Sequence, residues 1–477
     1  MPKIIIVYDD SMKVCGRAKT ILGEKSYGEM ILKRESMFLR MKEIVKTIKG
    51  VDIVKLKKVD SFNLNNYSSD TIFFHLLASS AVLATEEFKL LIEKVKYAKN
   101  NYIVKDEGKI HGAIVHNKME YVIFLDGYKE TRRIDHSYGD CIDTNIFVDL
   151  SDYEKLLLFI SGGFESRYFN SLQGDANTVT KHSSDKKKMK KEYSYYWLLP
   201  EPMKSWMVMP YNYEECETSA SYTMERMPMT DIAIRWTHSA IDLDEFRKIL
   251  DKSFYYFGCR NKKEITSREY CKTRDRLYLD KLNSRIIELK KMDEYSCLAD
   301  LVKIGTDYPS IDEIVENYKK VYRKVLAKNK ERKYLSVIGH GDFFFANMLY
   351  SKELNMLKLI DPKGALRESD LWTDPYYDIA KLSHSVCGNY DFFNTGSYSI
   401  DLNSRLKFEL NVFTDNTKEK EIFKKYLDAN GYDYYVVRIY EASLFLSMLP
   451  LHIDNLHKVL GFVLNAINII EEVDENV

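Results

Sequence analysis

The sequence predicts a mixed α+β chain: a layered α/β domain over residues 1–150, a small β-rich lobe over 151–230, and a helical lobe over 231–477. Three observations carry that division. In the first third, short apolar runs alternate with stretches at helical spacing, the order that a layered α/β domain requires. From 151 onward, turns separate short apolar and aromatic strands. From 231 to 330, and again from about 419 to 471, apolar residues recur every three or four positions. A chain of 477 residues also exceeds what one ordinary core fills, so two or three domains are expected.

KIIIVYDD at 3–10, an apolar run closed by two acids, predicts a strand, followed by a loop and a helix over SMFLRMKEIVKTI. The polar stretch SFNLNNYSSD separates these from TIFFHLLASSAVLA, a buried strand, and EEFKLLIEKVKYAKNN, a helix. NYIVKD and YVIFLDG predict two shorter strands, and IDTNIFVDL leads into a helix capped by Ser151 or Asp152. In the small lobe, SDYEKLLLFISGG ends in Gly162 and Gly163. FESRYFNSLQ, the turn GDAN and TVTKHSS then predict a hairpin whose second arm carries Lys181. KKKMKKEYSYYWLLP predicts a helix ending at Pro200, and SWMVMPYNYEE with SYTMERM a further strand pair. The helical lobe opens with DLDEFRKILDKSF, SREYCKTRDRLYLDKLNSRIIELKK and IDEIVENYKKVYRKVLAKN.

Charge and composition narrow the partners. Lys+Arg 71 against Asp+Glu 71 leaves no bulk field to gather nucleic acid or an anionic membrane. KKKMKK at 186–191 is expected to be the solvated face of a helix, without a binding role. Seven scattered cysteines without a CxxC pair predict free thiols in a reducing compartment. The N-terminus lacks the apolar core and cleavage site of a signal peptide. ASLFLSMLPLHI at 442–453 is shorter than the roughly 18–20 residues that span a bilayer. A cytoplasmic protein without membrane insertion is expected, and the sequence carries no signal for its oligomeric state.

The chemistry concentrates in YLSVIGHGDFFFANMLYSKELNMLKLIDPKGA at 334–365. A strand delivers the loop His340-Gly341-Asp342, Asn347 follows five residues after Asp342, and a hairpin over MLY, SKELN and MLKLI returns Asp361 toward Asp342. Two carboxylates and one side-chain amide suit phosphoryl transfer from a nucleotide. Asp342 would accept or orient the attacking hydroxyl, while Asp361 and Asn347 would hold Mg2+ through hard oxygens. Lys181 can reach the donor phosphates, with Glu192 fixing its ammonium as an ion pair. Ser161, Gly162 and Gly163 supply a turn whose N–H groups can approach those phosphates. Phe343, Phe344 and Phe345 are expected to pack behind the loop.

Over roughly residues 155–470 these motifs resemble the aminoglycoside phosphotransferase and choline kinase family. HGDFFFANMLY is similar to its HxDxxxxN catalytic loop, which places His340, Asp342 and Asn347 among catalytic positions. LIDPKG is similar to its metal-binding segment at Asp361, and in DPYYDIAKLSHS Asp378 occupies a supporting position. GGFESRYF resembles the phosphate loop, TVTKHSS the lysine strand and KKEYSYYWLLP the glutamate helix. SYTMERM occupies the hinge, where Glu225 and Met227 would meet adenine through backbone groups. Glu165 and Ser166 depart from the pattern, standing where an asparagine is common. The resemblance implies a bilobal protein-kinase-like fold, ATP or GTP as phosphate donor, Mg2+ as cofactor, and an acceptor hydroxyl on a sugar, sugar derivative or amino alcohol.

Residues 1–150 resemble sugar nucleotidyltransferases in order of elements, which points to surface polysaccharide biosynthesis as the pathway. They depart in chemistry: DDSMKVCGRAKTILGEK replaces the family's G-x-G-T-R loop, and Ser79 and Ser80 stand where it has a metal-binding aspartate. A degenerate or regulatory domain is the expectation. The alternatives are a bifunctional nucleotidyltransferase and kinase, and a non-catalytic pseudokinase scaffold.

Overall fold

A computed structural model describes residues 3–14, 16–32, 34–160, 172–174, 177–329 and 333–477. Ser161, Gly162, Gly163, Glu165 and Ser166 lie outside the described residues. The chain forms two compact units: Met1–Glu165 with His238–Ala240, and Ser166–Thr237 with Ile241–Val477.

The first unit is built on a six-stranded mixed sheet. Its order is Val51–Leu56, Ile4–Asp9, Ile72–Leu77, Lys109–Val115, Tyr102–Asp106, Asp140–Thr144. The first three strands are parallel, Lys109–Val115 is antiparallel to both of its neighbours, and Asp140–Thr144 runs parallel to Tyr102–Asp106. All six residues of Ile4–Asp9 are buried, as a central parallel strand covered on both faces requires. TIFFHLLASSAVLA yields two strands, the second being Ser80–Val82 paired antiparallel with Phe147–Asp149.

YVIFLDG is not a strand. It lies within the helix Lys118–Thr131, started by Asn117, whose side chain accepts the Glu120 N–H at 2.8 Å. Tyr121, Phe124, Leu125 and Tyr128 are buried, the spacing of one helical face, and they pack against Ile5, Val7 and Phe73 of the sheet. The cap of the next helix, Tyr153–Ile160, is Asp152, which accepts the N–H groups of Glu154 and Lys155.

The second unit opens with an antiparallel sheet of order Leu172–Gly174, Thr178–Ser183, Ala220–Glu225, Pro210–Glu215. The helix Lys186–Leu198, capped by Asp185, turns Met189, Glu192 and Tyr195 inward at three-residue spacing and stops before Pro200. The remainder is mainly helical. Leu243–Cys259, Ile311–Lys328, Tyr434–Ser447 and Leu456–Asn476 contribute a large share of one extensive apolar core. Against it lies the hairpin Met348–Ser351 with Met356–Leu359, in the register Met348 to Leu359. No helix among the described residues is long and apolar enough to cross a membrane.

Candidate active site

The strand Leu335–Ile338 leads directly into Gly339-His340-Gly341-Asp342. One buried carboxylate shapes that loop. Asp378, in the first turn of the helix Tyr377–Val386, accepts the His340 N–H at 2.9 Å and the Gly341 N–H at 2.7 Å, and Arg260 donates to it at 3.3 Å. Gly341 has φ +81°, and a Cβ there would come within 2.6 Å of the Lys363 side chain, so glycine is required on both counts. His340 is fully buried behind the loop. Its Nδ1 accepts the Asp342 N–H at 3.3 Å, and burial lowers its pKa, so the ring is neutral and carries its proton on Nε2. The structure thus places His340 where it braces the Asp342 backbone instead of facing a substrate.

Asp361 is tied to the same loop from both sides. The Ile360 N–H donates to the Asn347 carbonyl at 3.1 Å, and the Lys363 N–H to the His340 carbonyl at 3.0 Å. Asp361 itself has φ +53°, a left-handed conformation uncommon outside glycine and one that clusters at functional sites. Asn347 Nδ2 donates to the Asp342 carbonyl at 3.0 Å and to Asp342 Oδ2 at 3.2 Å, which leaves its amide oxygen uncommitted.

Lys181, on the strand Thr178–Ser183, ties the four-stranded sheet to Asp361. Its ammonium lies 2.7 Å from Glu192 Oε2 and 2.8 Å from Asp361 Oδ1. Burial works to discharge it, but the Asp361 and Glu192 carboxylates outweigh burial, and its pKa is raised. Burial also raises the pKa of Glu192, with Lys181 opposing that shift, and Tyr222 donates to the same carboxylate oxygen at 3.1 Å.

These groups open onto a cavity of about 760 Å³, lined by Glu192, Asp342, Asn347 and Asp361 together with Lys281, Lys363, Tyr377 and Lys381. The donor set fits a magnesium ion: one carboxylate, Asp361, and one neutral amide oxygen, Asn347, leaving room for water and phosphate. Among the described residues no group of three or more His, Cys, Asp or Glu could hold a metal.

No protein-family model and no curated protein matches the chain. Solved structures to which the chain is similar include a thermostable mutant of aminoglycoside phosphotransferase APH(4)-Ia in ternary complex with AMP-PNP and hygromycin B. That protein is 12% identical, with a TM-score of 0.38 over 64% of this chain and 92% of its own. The same enzyme with ADP and hygromycin B is 11% identical, with a TM-score of 0.36 over 67% and 97%. Choline kinase from Cryptosporidium parvum Iowa II is 12% identical, with a TM-score of 0.34 over 65% and 88%.

Other sequence expectations meet the cavity differently. Glu225 and Met227 do not line it; they border a separate cavity of about 410 Å³ with Val208, Met209 and Tyr196. Phe343 and Phe345 are fully buried, whereas Phe344 lines the main cavity. The basic run at 186–191 is a solvated helix face, with Lys187, Lys188 and Lys190 exposed and Met189 turned inward, and Lys187, Lys188 and Lys191 border the cavity. Sequence reasoning also passed over Lys381, whose ammonium sits 2.9 Å from Asp342 Oδ1. Burial opposes its charge, but Asp342 outweighs that and raises its pKa. Its spacing offered a signal: Lys381 lies three residues after Asp378 on one helix, so both side chains address the same loop.

Proposed function

We propose that the second unit is a bilobal, protein-kinase-like enzyme that transfers the γ-phosphate of ATP or GTP to a hydroxyl of a small molecule. The observation that carries this reading is Lys181 held between Glu192 and Asp361, with Asp361 tied to the loop bearing Asp342 and Asn347. Phosphoryl transfer asks the protein mainly for positioning and charge stabilisation, and each of those tasks has an occupant here. Lys181 holds the donor phosphates. Asn347 and Asp361 would hold Mg2+, which supplies neutralisation of phosphate charge when bound. Asp342 orients the acceptor hydroxyl and takes its proton as the acceptor oxygen bonds to the γ-phosphorus. The bond from that phosphorus to the bridging oxygen breaks, and the nucleoside diphosphate leaves with the electron pair. Asp378 fixes the loop through two backbone N–H groups, so Asp342 does not reorganise during the step.

The first unit is assigned no catalysis in this reading. Asp9 and Asp10, the acids that end its first strand, are buried and engaged by protein groups.

The test is nucleoside diphosphate release by the purified full-length chain with ATP or GTP, Mg2+ and a panel of sugars, sugar acids, sugar phosphates and amino alcohols. A phosphorylated product with wild type and none with Asp342→Asn is expected. Equal turnover by the two proteins would remove Asp342 from the reaction.

A further inference from the structure

The cavity has two halves with different chemistry, and Asp342 stands between them. On one side are Asn347 and Asp361, with Lys181 behind them; on the other are Lys381, Tyr377, Lys281 and Lys363. The four carboxylates in the lining are already engaged. Asp185 caps a helix, Glu192 and Asp361 flank Lys181, and Asp342 meets Lys381. The second half is therefore a cationic wall in which Lys381 is paired with Asp342, while Lys281 and Lys363 meet none of these four carboxylates.

Two lysines converge there on one phenol. Lys281 donates to the Tyr377 hydroxyl at 3.2 Å, its ammonium lies 5.7 Å from the ring centre, and that of Lys363 lies 5.8 Å from it. Among the described residues neither Lys281 nor Lys363 forms an ion pair with a carboxylate. Arg285, one helical turn beyond Lys281, lines the same wall but is already paired with Glu288 at 2.6 Å, so the two lysines carry the free charge. Burial would raise the pKa of Tyr377, yet Lys281, Lys381 and Lys363 outweigh burial and lower it, which is an internal sign of the field in that half.

Taking the phosphotransferase reading as its basis, we infer that the acceptor is an anionic alcohol: a hydroxyl compound whose phosphate or carboxylate is held by Lys281 and Lys363 while its hydroxyl meets Asp342. A cationic acceptor is disfavoured by the same residues. An ammonium placed beside either lysine meets a like charge, and here more than one lysine would face it. An anion instead gains charge-assisted hydrogen bonds from donors that otherwise end on a phenol ring. This narrows the acceptor classes that the sequence admits, removing amino alcohols and retaining phosphorylated or carboxylated sugars and polyols.

The experiment uses the full chain with Mg2+ and AMP-PNP bound, so that the donor half is filled, and titrates inorganic phosphate by calorimetry. Saturable phosphate binding is expected, weakened roughly tenfold or more by Lys281→Met or Lys363→Met, with AMP-PNP affinity retained. Methionine keeps an apolar stem, so the fold is preserved, which circular dichroism checks. Phosphate binding that is absent, or indifferent to both substitutions, overturns the inference. Loss of AMP-PNP affinity in the variants also overturns it, assigning the lysines to the donor while leaving the kinase reading intact. Failure of the wild type to bind AMP-PNP at all strikes the kinase reading itself. In a turnover arm, glucose 6-phosphate and glucuronate are compared with glucose and glucosamine. A preference for glucosamine would sink the anionic acceptor.

Discussion

Asp9 and Asp342 both stand at or just beyond the end of an apolar strand, and their surroundings differ. Asp9 ends the strand Ile4–Asp9 with its side chain 0% exposed: Tyr128 donates to it at 2.6 Å, the Ser11 N–H at 2.9 Å, and His75 Nε2 lies 3.1 Å away. Asp342 follows the strand Leu335–Ile338 with its side chain 35% exposed and opens onto a cavity. Both sit in polar clusters, but only Asp342 faces a space that a reactant could enter. A carboxylate saturated by protein donors contributes to stability, whereas one held on one side and open on the other can exchange a proton. This difference separates the two units more sharply than any motif does.

The largest effect expected to test this contrast is Asp342→Asn. Loss of a positioned base typically costs about 10²–10⁴-fold in turnover, whereas the unfolding midpoint should fall only modestly, because Lys381 loses the charge of its partner but keeps an amide oxygen to donate to. Diphosphate release and urea unfolding measured on one preparation check both halves of the statement. Next comes Asp378→Ala, which should behave oppositely, as a loss of structure first. It leaves Arg260 buried without its partner and two loop N–H groups unpaired, a situation that costs roughly 3–5 kcal/mol. The four tryptophans, Trp197, Trp206, Trp236 and Trp372, all lie in the second unit, so indole fluorescence follows that unit selectively. A midpoint equal to the wild type would show that the loop holds itself.

A smaller effect is expected from Lys381→Met. The ammonium fixes one oxygen of Asp342 and does not touch the donor half, so turnover should fall by roughly 10–100-fold through misplacement of the carboxylate. Its pH profile should move while the KM for nucleotide stays constant, and Lys381→Arg should recover part of the loss. A purely structural role would change the unfolding midpoint and leave the pH profile in place.

Much of the second unit could be read in the sequence because its chemistry is local. Asp342, Asn347 and Asp361 lie within a single loop and hairpin, and Lys181 and Glu192 within one strand and the helix that follows. The cationic wall could not be read so, since Lys281, Lys363 and Lys381 come from separate segments and meet only in the folded lobe. YVIFLDG misled for a different reason: Val122, Ile123 and Phe124 form an unbroken run of strand-favouring residues. Asn117 and the burial of Tyr121, Phe124, Leu125 and Tyr128 settle the helix, and tertiary packing overrides propensity there. The same run leaves Ile123 on the outer face, 62% exposed.

The smallest effect concerns Asp9 and turns on the sign of its titration. Burial works to raise its pKa, but hydrogen bonds from His75, Ser11 and Tyr128, with the charge on His75, outweigh burial and bring it from 3.8 to about 2. A carboxyl more acidic when folded than unfolded adds stability above the unfolded value, and that contribution is lost as pH falls through the folded one. The window is therefore about pH 4 down to pH 2, and the shift corresponds to about 2 kcal/mol. Asp9→Asn should remove this acid dependence from the first unit, followed by circular dichroism, with the tryptophan signal of the second unit unchanged. Acid unfolding of the first unit that is identical in wild type and variant would mean that Asp9 titrates as a free carboxylate. It would then resemble Asp342 after all, a carboxylate that the fold leaves able to exchange a proton.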